Sequence, residues 1–190
     1  MKRILLAACC LFVTAFFTFS YAQTQEEMKK WMDYMTPSDI HQMMAKWDGP
    51  WNEEIQMWMA PGAPVQTMTA SCVNRMVLGG RYQESKHSGT MNGMPVEGIS
   101  TTAWDNARKV ISTTWVDNMG TGLMYMEGTW DAATKTITLK GKTTDPMTGL
   151  LTDIREVMKI VDESTQLMQQ FGMKDGKEYK TMEVKFTRPR

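Results

Sequence analysis

The sequence predicts a mainly β fold, an antiparallel up-and-down β-barrel of roughly ten strands that follows two short amphipathic helices. Before residue 48, apolar residues recur at the spacing of a helix, whereas after Gly49 apolar and polar residues alternate as in half-buried strands. Turn-forming residues interrupt this alternation at similar intervals, with no helical periodicity between them. A closed barrel is favoured because it leaves no edge strand exposed, and a two-sheet sandwich is the alternative.

Two apolar stripes at helical spacing predict the helices. The first stripe consists of Met28, Trp31, Met32 and Met35. The second has the same spacing and consists of Ile40, Met43, Met44 and Trp47. Thr36 is predicted to be the N-cap of the second helix, with Pro37 at its first helical position.

The alternation after Gly49 predicts the strands. One face of the first strand consists of Trp51, Glu53, Ile55, Met57 and Met59. After Pro61-Gly62, further β-like runs cover residues 66–78, 81–88, 96–104, 109–116, 122–130, 136–142, 153–161, 166–171 and 178–187. Segments between them, such as Met91-Asn92-Gly93 and Lys174-Asp175-Gly176, contain residues that accept a positive φ or hydrogen-bond to the turn.

The last strand indicates which residues face the inside of the barrel. Met182, Val184 and Phe186 alternate with polar residues and form the inward set, which Arg188 continues. A barrel of about ten strands is wide enough to hold a small ligand as well as side chains. We therefore expect an interior lined by Trp, Met, Val and Phe that suits an apolar or amphiphilic ligand.

Six short stretches, in this order along the chain, resemble a bacterial family. They are Trp47-Asp48-Gly49-Pro50-Trp51, Pro61-Gly62-Ala63-Pro64, Leu78-Gly79-Gly80-Arg81-Tyr82, Gly93-Met94-Pro95-Val96-Glu97-Gly98, Thr114-Trp115-Val116-Asp117 and Asp175-Gly176-Lys177-Glu178. Together they look like the family known as domain of unknown function 1579, over roughly residues 36 to 188. Ala103-Trp104-Asp105 departs from a Gly-Tyr-Asp type step but keeps an aromatic residue before the turn aspartate. This family brings no assigned activity.

Proteins of this general shape also resemble calycins, the lipocalin-like barrels. Gly49-Pro50-Trp51 at the first strand and Arg188 after the last strand fit that comparison. The resemblance implies that Trp51 plugs the closed end and that Arg188 lies across it, in a cation–π contact of about 0.5–2 kcal/mol. It implies a barrel and, at most, ligand binding.

The first 22 residues predict export. Lys2-Arg3 precedes an apolar run over residues 4–19, and Ser20-Tyr21-Ala22 offers a cleavage pattern for signal peptidase. We therefore expect a periplasmic or secreted protein after cleavage near Ala22. The less favoured alternative is a lipoprotein attached through Cys9, in the lipobox-like Leu6-Ala7-Ala8-Cys9. The apolar run is too short to predict a membrane span.

Composition excludes some classes of function. Removing Lys2 and Arg3 with the signal peptide leaves 19 basic residues against 21 acidic residues, which gives no electrostatic footprint for nucleic acid. Cys72 is then the one remaining cysteine, so no intramolecular disulfide can form. Stability must come from an apolar core.

Methionine is unusually frequent, with 20 residues in the chain. Met124 and Met126 share a strand face, as do Met57 and Met59, and paired thioethers are ligands that suit Cu(I). The favoured interpretation is packing, because methionine fills irregular gaps in cores and neither histidine lies near these pairs. Copper handling is the alternative.

The histidines and the cysteine are candidate functional residues with a structural interpretation beside each. We expect His41 at the polar edge of the second helix and His87 at an exposed strand end, with ligand gating by His87 as the alternative. Cys72 is expected to be a small buried residue, and a thiol hydrolase built from cysteine, histidine and an acid is the alternative. Two histidines and one cysteine are too few for a zinc site without carboxylates, so we expect no metal and no cofactor.

Among the carboxylates, Asp117 is the strongest candidate for a role inside the barrel. It shares a strand face with Trp115, and Arg81 is its predicted ion-pair partner. For Asp117, a structural ion pair is favoured and a ligand contact is the alternative. The same two interpretations apply to Arg155 and Glu156. The carboxylates are otherwise too scattered to predict acid–base catalysis.

These observations favour an exported, non-enzymatic protein that binds a small apolar or amphiphilic ligand inside the barrel. We divide the chain into a signal peptide (residues 1–22), an N-terminal helical lid segment (residues 23–47) and a barrel domain (residues 48–190). The predicted ligand contacts are Arg81, Trp115, Asp117, Met182, Val184 and Phe186. The alternatives are a structural or interaction module that uses the Met- and Trp-rich helices, and a methionine-based copper-handling protein.

Overall fold

A computed structural model describes residues 24–190 of the chain. The predicted signal peptide, its cleavage site near Ala22 and the lipobox at Cys9 lie outside the described residues. The described part divides into two compact units, with residues 24–33 in the first and residues 34–190 in the second. Most of helix α1 (Gln25–Met35), the helix that the first stripe predicts, lies in the first unit. Within residues 24–190 no helix is both long enough and apolar enough to cross a membrane.

The second unit is a closed barrel. It consists of α2 (Asp39–Ala45) and the strands β1 (Gly49–Met57), β2 (Gln66–Val77), β3 (Tyr82–Met91), β4 (Met94–Asp105), β5 (Val110–Asp117), β6 (Met124–Asp131), β7 (Thr136–Thr144), β8 (Leu151–Ile160), β9 (Thr165–Lys174) and β10 (Lys177–Thr187). Each strand pairs antiparallel with its neighbour in sequence, and β1 pairs with β10. The prediction of a closed up-and-down barrel with about ten strands is confirmed, and the sandwich alternative is wrong.

Several strands extend further than the sequence prediction. β3 and β4 meet at Asn92-Gly93, and both turn residues have a positive φ, 53° and 81°. This is the two-residue turn whose twist matches the strands on either side, so pairing continues to the turn itself. The prediction stopped β3 at residue 88 and began β4 at residue 96 because Gly89 and Pro95 weaken a strand pattern.

The start of α2 also differs from the prediction. Ser38, not Thr36, is the N-cap, and the helix begins at Asp39. The Ser38 N–H donates to His41 Nδ1 at 2.9 Å. His41 therefore takes the place that Glu or Gln has in a capping box, which fixes the start of the helix two residues later than predicted.

Side chains of the barrel bind the C-terminal end of α2. Gln83 Nε2 donates to the Met44 carbonyl at 2.7 Å, and Trp51 Nε1 donates to the Trp47 carbonyl at 2.8 Å. Asn74 Nδ2 also donates to the Trp47 carbonyl, at 3.2 Å. Met44 lies in the last turn of α2 and Trp47 lies just after the helix, so these bonds hold the C-terminal end of α2 against the end of the barrel where Trp51 lies. The predicted segment 23–47 is thus shared between two units, and α2 belongs to the unit that contains the barrel.

Arg188 joins the end of the chain to this closed end. Its guanidinium lies 4.0 Å from the centre of the Trp51 ring. Nη1 donates to the Asp48 carbonyl at 2.8 Å, and Nη2 donates to the Lys46 carbonyl at 2.9 Å. This is the arrangement that the calycin resemblance implies. Arg188 therefore ties the residues after β10 to the connection between α2 and β1.

The apolar core lies inside the barrel and under α2. Its buried members are Met44, Trp47, Trp51, Cys72, Ile111, Met126, Ile137, Leu139, Ile154, Met168, Val184 and Phe186. Met44, Met126 and Met168 belong to this core, as expected if methionine serves as a packing residue.

Replacing Arg188 with alanine is expected to lower the free energy of unfolding by about 2 kcal/mol, because it removes a cation–π contact and charge-assisted hydrogen bonds. Arg188→Lys keeps the charge but not the planar fork, so it should recover only part of the loss. Urea denaturation followed by far-UV circular dichroism measures both variants. Arg75→Ala, on the exposed face of β2, is the control. An Arg188→Ala variant as stable as this control would show that the contact does not hold the barrel closed.

Candidate functional site

Three side chains with metal-ligating atoms meet inside the barrel: Glu53 on β1, Cys72 on β2 and His87 on β3. The strand register explains why they meet, since Cys72 lies opposite both Trp51 and His87. Glu53 is two residues from Trp51 and so shares its inward face. One ligand atom from each of the three side chains lies within 4.8 Å of the other two. Glu53 and Cys72 are buried, and the side chain of His87 is 18% exposed.

His87 forms a short contact with Glu53. Nδ1 of His87 lies 2.7 Å from Oε1 of Glu53. Which of the two atoms donates depends on which ring nitrogen carries the proton, and a proton on Nδ1 makes the imidazole the donor. The prediction that His87 lies at an exposed strand end is wrong, because β3 continues beyond it to Met91 and the alternation turns its side chain inward.

Cys72 is buried, as predicted, and its thiol is kept protonated. Burial and the neighbouring Glu53 carboxylate raise the pKa of the Cys72 thiol far above its ordinary value. The thiol donates to Asn74 Oδ1 at 3.6 Å. A nucleophilic cysteine needs a lowered pKa. The structure thus brings together the cysteine, histidine and acid of the thiol hydrolase alternative but does not activate the thiol.

Trp115 extends this cluster across β5. Its Nε1 donates to Asp117 Oδ2 at 2.6 Å, and its ring meets that of His87 edge-on, with 4.9 Å between centroids. The Trp115 ring packs against Gly98 on β4. Any larger residue at position 98 would clash, because its Cβ atom would lie 2.3 Å from the indole ring. Trp115 and Asp117 therefore share the inward face, as the strand alternation predicts.

The predicted ion pair between Arg81 and Asp117 is wrong. Arg81 follows the turn between β2 and β3, at the closed end, and its Nη1 donates to the Leu78 carbonyl at 3.2 Å. The Asp117 carboxylate lies at the opposite end of the barrel and accepts from Trp115 and from the Met119 N–H at 2.9 Å. Each antiparallel strand reverses the chain, so these two residues lie at opposite ends.

His41 has a structural role. It is 5% exposed, which contradicts the prediction of a polar edge position. Burial, assisted by the charge of Arg81, lowers the pKa of His41. Its Nδ1 accepts the Ser38 N–H, so His41 acts as a neutral cap for α2.

Glu156 and Gln170 form a polar patch on the wall of β8 and β9. They are opposite each other in the strand register and both face inward. Neither side chain is fully buried, yet desolvation raises the pKa of Glu156 to about 7. The two observations agree if the surface that Glu156 exposes faces the barrel interior rather than bulk water. Within residues 24–190, no hydrogen-bond or ion-pair partner is found for the Glu156 carboxyl.

Arg155, next to Glu156 in sequence, faces outward. Its guanidinium forms two hydrogen bonds with the Glu178 carboxylate, at 2.8 and 2.7 Å, and lies 3.9 Å from the centre of the Phe171 ring. The choice left open for these two residues is therefore resolved for Arg155, which forms a structural ion pair. Alternation along β8 turns Glu156 to the other face.

A row of inward-facing neighbours links Glu156 with the end of the barrel that lies opposite α2. Gln170 is opposite Met182 on β10, and Met182 is opposite Met57 on β1. Three spacings between strands separate Glu156 from Met57, about 14 Å along the wall. Met57 also lines a cavity of about 550 Å³, which we call the mouth cavity. It is lined by Met57, Gln66, Thr67, Met68, Thr69, Thr90, Met91 and Asn92.

Of the predicted ligand contacts on β10, Met182 belongs to this row and is partly accessible, whereas Val184 and Phe186 are buried in the core.

A second cavity of about 560 Å³, which we call the outer groove, lies against the outside of the barrel. It is lined mainly by outward-facing residues: Glu54, Gln56, Thr67, Thr69, Leu167, Glu183 and Lys185. The outer groove does not contain Glu53, Cys72, His87 or Glu156.

Comparison with known proteins gives a family and a fold. Residues 36–188 match the model of a family described as "Protein of unknown function (DUF1579)". Among solved structures, the crystal structure of Rv2717c from M. tuberculosis is similar to this chain, with a TM-score of 0.62 and 13% sequence identity. The match covers 82% of this chain and 100% of that one, and at this identity it concerns the fold alone. No curated protein matches the chain.

Glu156→Gln is expected to stabilise the barrel at pH 8 and to leave its stability unchanged at pH 4. Folding raises the pKa of this carboxyl from 4.5 to about 7, so the folded state binds the proton more tightly and stability falls as pH rises between these values. The gain at pH 8 should be about 1–3 kcal/mol, less than the full shift implies because the carboxyl keeps some access to water.

Urea denaturation of both proteins at pH 4, 6 and 8 measures this dependence. Glu54→Gln, on the outer face of β1, is the matched control and should show no such change with pH. Equal stabilities of the Glu156→Gln variant and the unsubstituted protein at pH 8 would contradict a desolvated carboxyl.

Proposed function

We propose that this chain, which belongs to the DUF1579 family, binds a small amphiphilic molecule inside its barrel without transforming it. The observation that carries the proposal is the Glu156 carboxyl, which belongs to an inward-facing position of β8, is desolvated and has no protein partner within residues 24–190. A desolvated polar group on the inner face of a barrel is typical of a ligand-orienting residue.

The charges inside the barrel favour a head group that donates hydrogen bonds. Glu53, Asp117 and Glu156 face inward, and His87 is the one basic side chain beside them on the inner wall of the described strands. Inward-facing lysines occur in these strands only at the exposed tip of the β9–β10 hairpin, where Lys174 pairs with Lys177. A carboxylate ligand would therefore find no cation near Glu156, whereas an amine or a hydroxyl would find an acceptor. An amine is favoured over a hydroxyl because it also neutralises the Glu156 carboxylate.

The rest of the row fits the apolar part of such a ligand. Met182 and Met57 lead from the polar patch to the mouth cavity. Methionine side chains adapt to apolar ligands of different shape because they are flexible and polarisable. The closed end carries α2 and the Trp51–Arg188 contact, so we place ligand entry at the mouth cavity.

Calorimetric titration with dodecylamine, dodecanol and dodecanoate, kept below their micelle concentrations at pH 8, tests this function. Dodecylamine should bind at least about tenfold more tightly than dodecanoate, a difference of about 1.4 kcal/mol. Glu156→Gln should remove this preference and leave dodecanol binding nearly unchanged.

Glu54→Gln is the matched control, because Glu54 lines the outer groove. Loss of binding in this variant would place the amphiphile outside the barrel. Equal affinities for the amine and the carboxylate, or no heat with any of the three, would contradict the proposal.

We further propose that this function is carried out after export. The support is in the sequence, where Lys2-Arg3, the apolar run and Ser20-Tyr21-Ala22 form a signal-peptide pattern. Edman sequencing of the protein purified from its own host should therefore begin at Gln23. An intact Met1, or a lipid-modified Cys9 at the N-terminus, would contradict cleavage near Ala22.

A further inference from the structure

We propose that Glu53, Cys72 and His87 form a binding site for Zn²⁺, with three protein ligands and one open position. The proposal stands on the convergence of a carboxylate oxygen, a thiol sulfur and an imidazole nitrogen within 4.8 Å of one another. It shares no residue with the amphiphile row, so either proposal can fail without the other.

The donor set points to zinc among the common metal ions. Mg²⁺ and Ca²⁺ take oxygen ligands, and Cu(I) takes soft sulfur and nitrogen ligands, whereas Zn²⁺ binds carboxylate, imidazole and thiolate together. Three protein ligands with a fourth position left for water or a ligand is a common arrangement for zinc. The partly accessible side of this cluster is that of His87, so the open position would face the interior.

The geometry requires only a small adjustment. Zinc lies about 2.0–2.2 Å from nitrogen and oxygen ligands, so two such ligands in a tetrahedral site are roughly 3.3 Å apart. His87 Nδ1 and Glu53 Oε1 are 2.7 Å apart and would separate slightly. The three strands that carry these ligands are neighbours with fixed register, which limits how far the ligands can move apart.

The charges balance when the metal binds. The Cys72 thiol releases one proton to solvent, and the His87 nitrogen that binds the metal does so through its lone pair and carries no proton. Zn²⁺ then carries two positive charges against one thiolate and one carboxylate. Without metal, the Glu53 carboxyl is buried beside an imidazole and a thiol. The bound metal forms a neutral site with one thiolate and one carboxylate, so the site buries no net charge.

A surrounding contact holds one of the ligands in place. The Cys72 thiol donates to Asn74 Oδ1 at 3.6 Å and gives up this bond when it releases its proton to bind the metal. The edge-on contact with Trp115 fixes the plane of the His87 ring. Such outer contacts orient the ligands of metal sites in proteins.

Titration of the purified, chelator-treated chain with Co²⁺ tests the proposal, because cobalt replaces zinc in tetrahedral sites and is visible by absorption. We expect one equivalent of Co²⁺ to give intense visible bands of tetrahedral cobalt and a near-ultraviolet thiolate-to-cobalt band. One equivalent of Zn²⁺ should bleach both. Cys72→Ser should lose the near-ultraviolet band, and His87→Ala and Glu53→Gln should each weaken Co²⁺ binding by at least about tenfold.

Glu54→Gln, one residue from Glu53 but on the outer face, is the control and should bind Co²⁺ like the unsubstituted protein. Cys9 and Cys10 lie in the predicted signal peptide. They are absent from all cleaved variants and present in all uncleaved ones, so they cannot account for a difference between variants. The rise in melting temperature caused by Zn²⁺ in the unsubstituted protein is the second measurement, should a variant fail to fold. An unchanged cobalt spectrum in Cys72→Ser, or no Zn²⁺-dependent rise in melting temperature, would overturn the site.

Discussion

The barrel depends on how the carbonyl groups at the end of α2 and in the connection to β1 are satisfied. A helix end buried against a sheet is costly unless each carbonyl finds a donor. Here the donors are side chains from β1, β2 and β3 and from Arg188 after β10, and they bind carbonyls between Met44 and Asp48. The donors on β1, β2 and β3 meet through the pairing of these three strands, and Arg188 joins them only when β1 pairs with β10. Closure of the barrel therefore completes the set of donors.

The closed end and the rest of the barrel interior contain different kinds of side chain. The two largest fully buried side chains within residues 24–190, Trp51 and Met44, lie at the closed end. The inward positions farther from α2 are less tightly packed, and it is there that polar groups such as Glu156 and His87 appear. The side chains that stabilise the closure are thus different from those offered to a ligand or metal.

The sequence predicts the face of each strand better than it predicts which residues meet across strands. Alternation alone places Trp51, Trp115 and Met182 on the inside, because the side-chain period of a strand is two. It cannot place His87 beside Glu53, because that contact depends on the register of three strands, and register depends on the lengths of the turns between them. The Asn92-Gly93 turn extends β3 beyond His87, which moves this residue from an expected strand end to the middle of the wall.

The three inward carboxylates show why the interior should attract positive charge. Asp117 is satisfied by an indole N–H and a backbone N–H near the rim. Glu53, buried more deeply, has an imidazole and a thiol beside it, which are themselves metal ligands. Glu156 has neither. Because a desolvated carboxylate costs more free energy with each partner it lacks, the preference for an external cation should increase from Asp117 to Glu53 and Glu156. The two proposed ligands, a metal ion and an amine, both follow from this excess of acidic groups over basic groups inside one barrel.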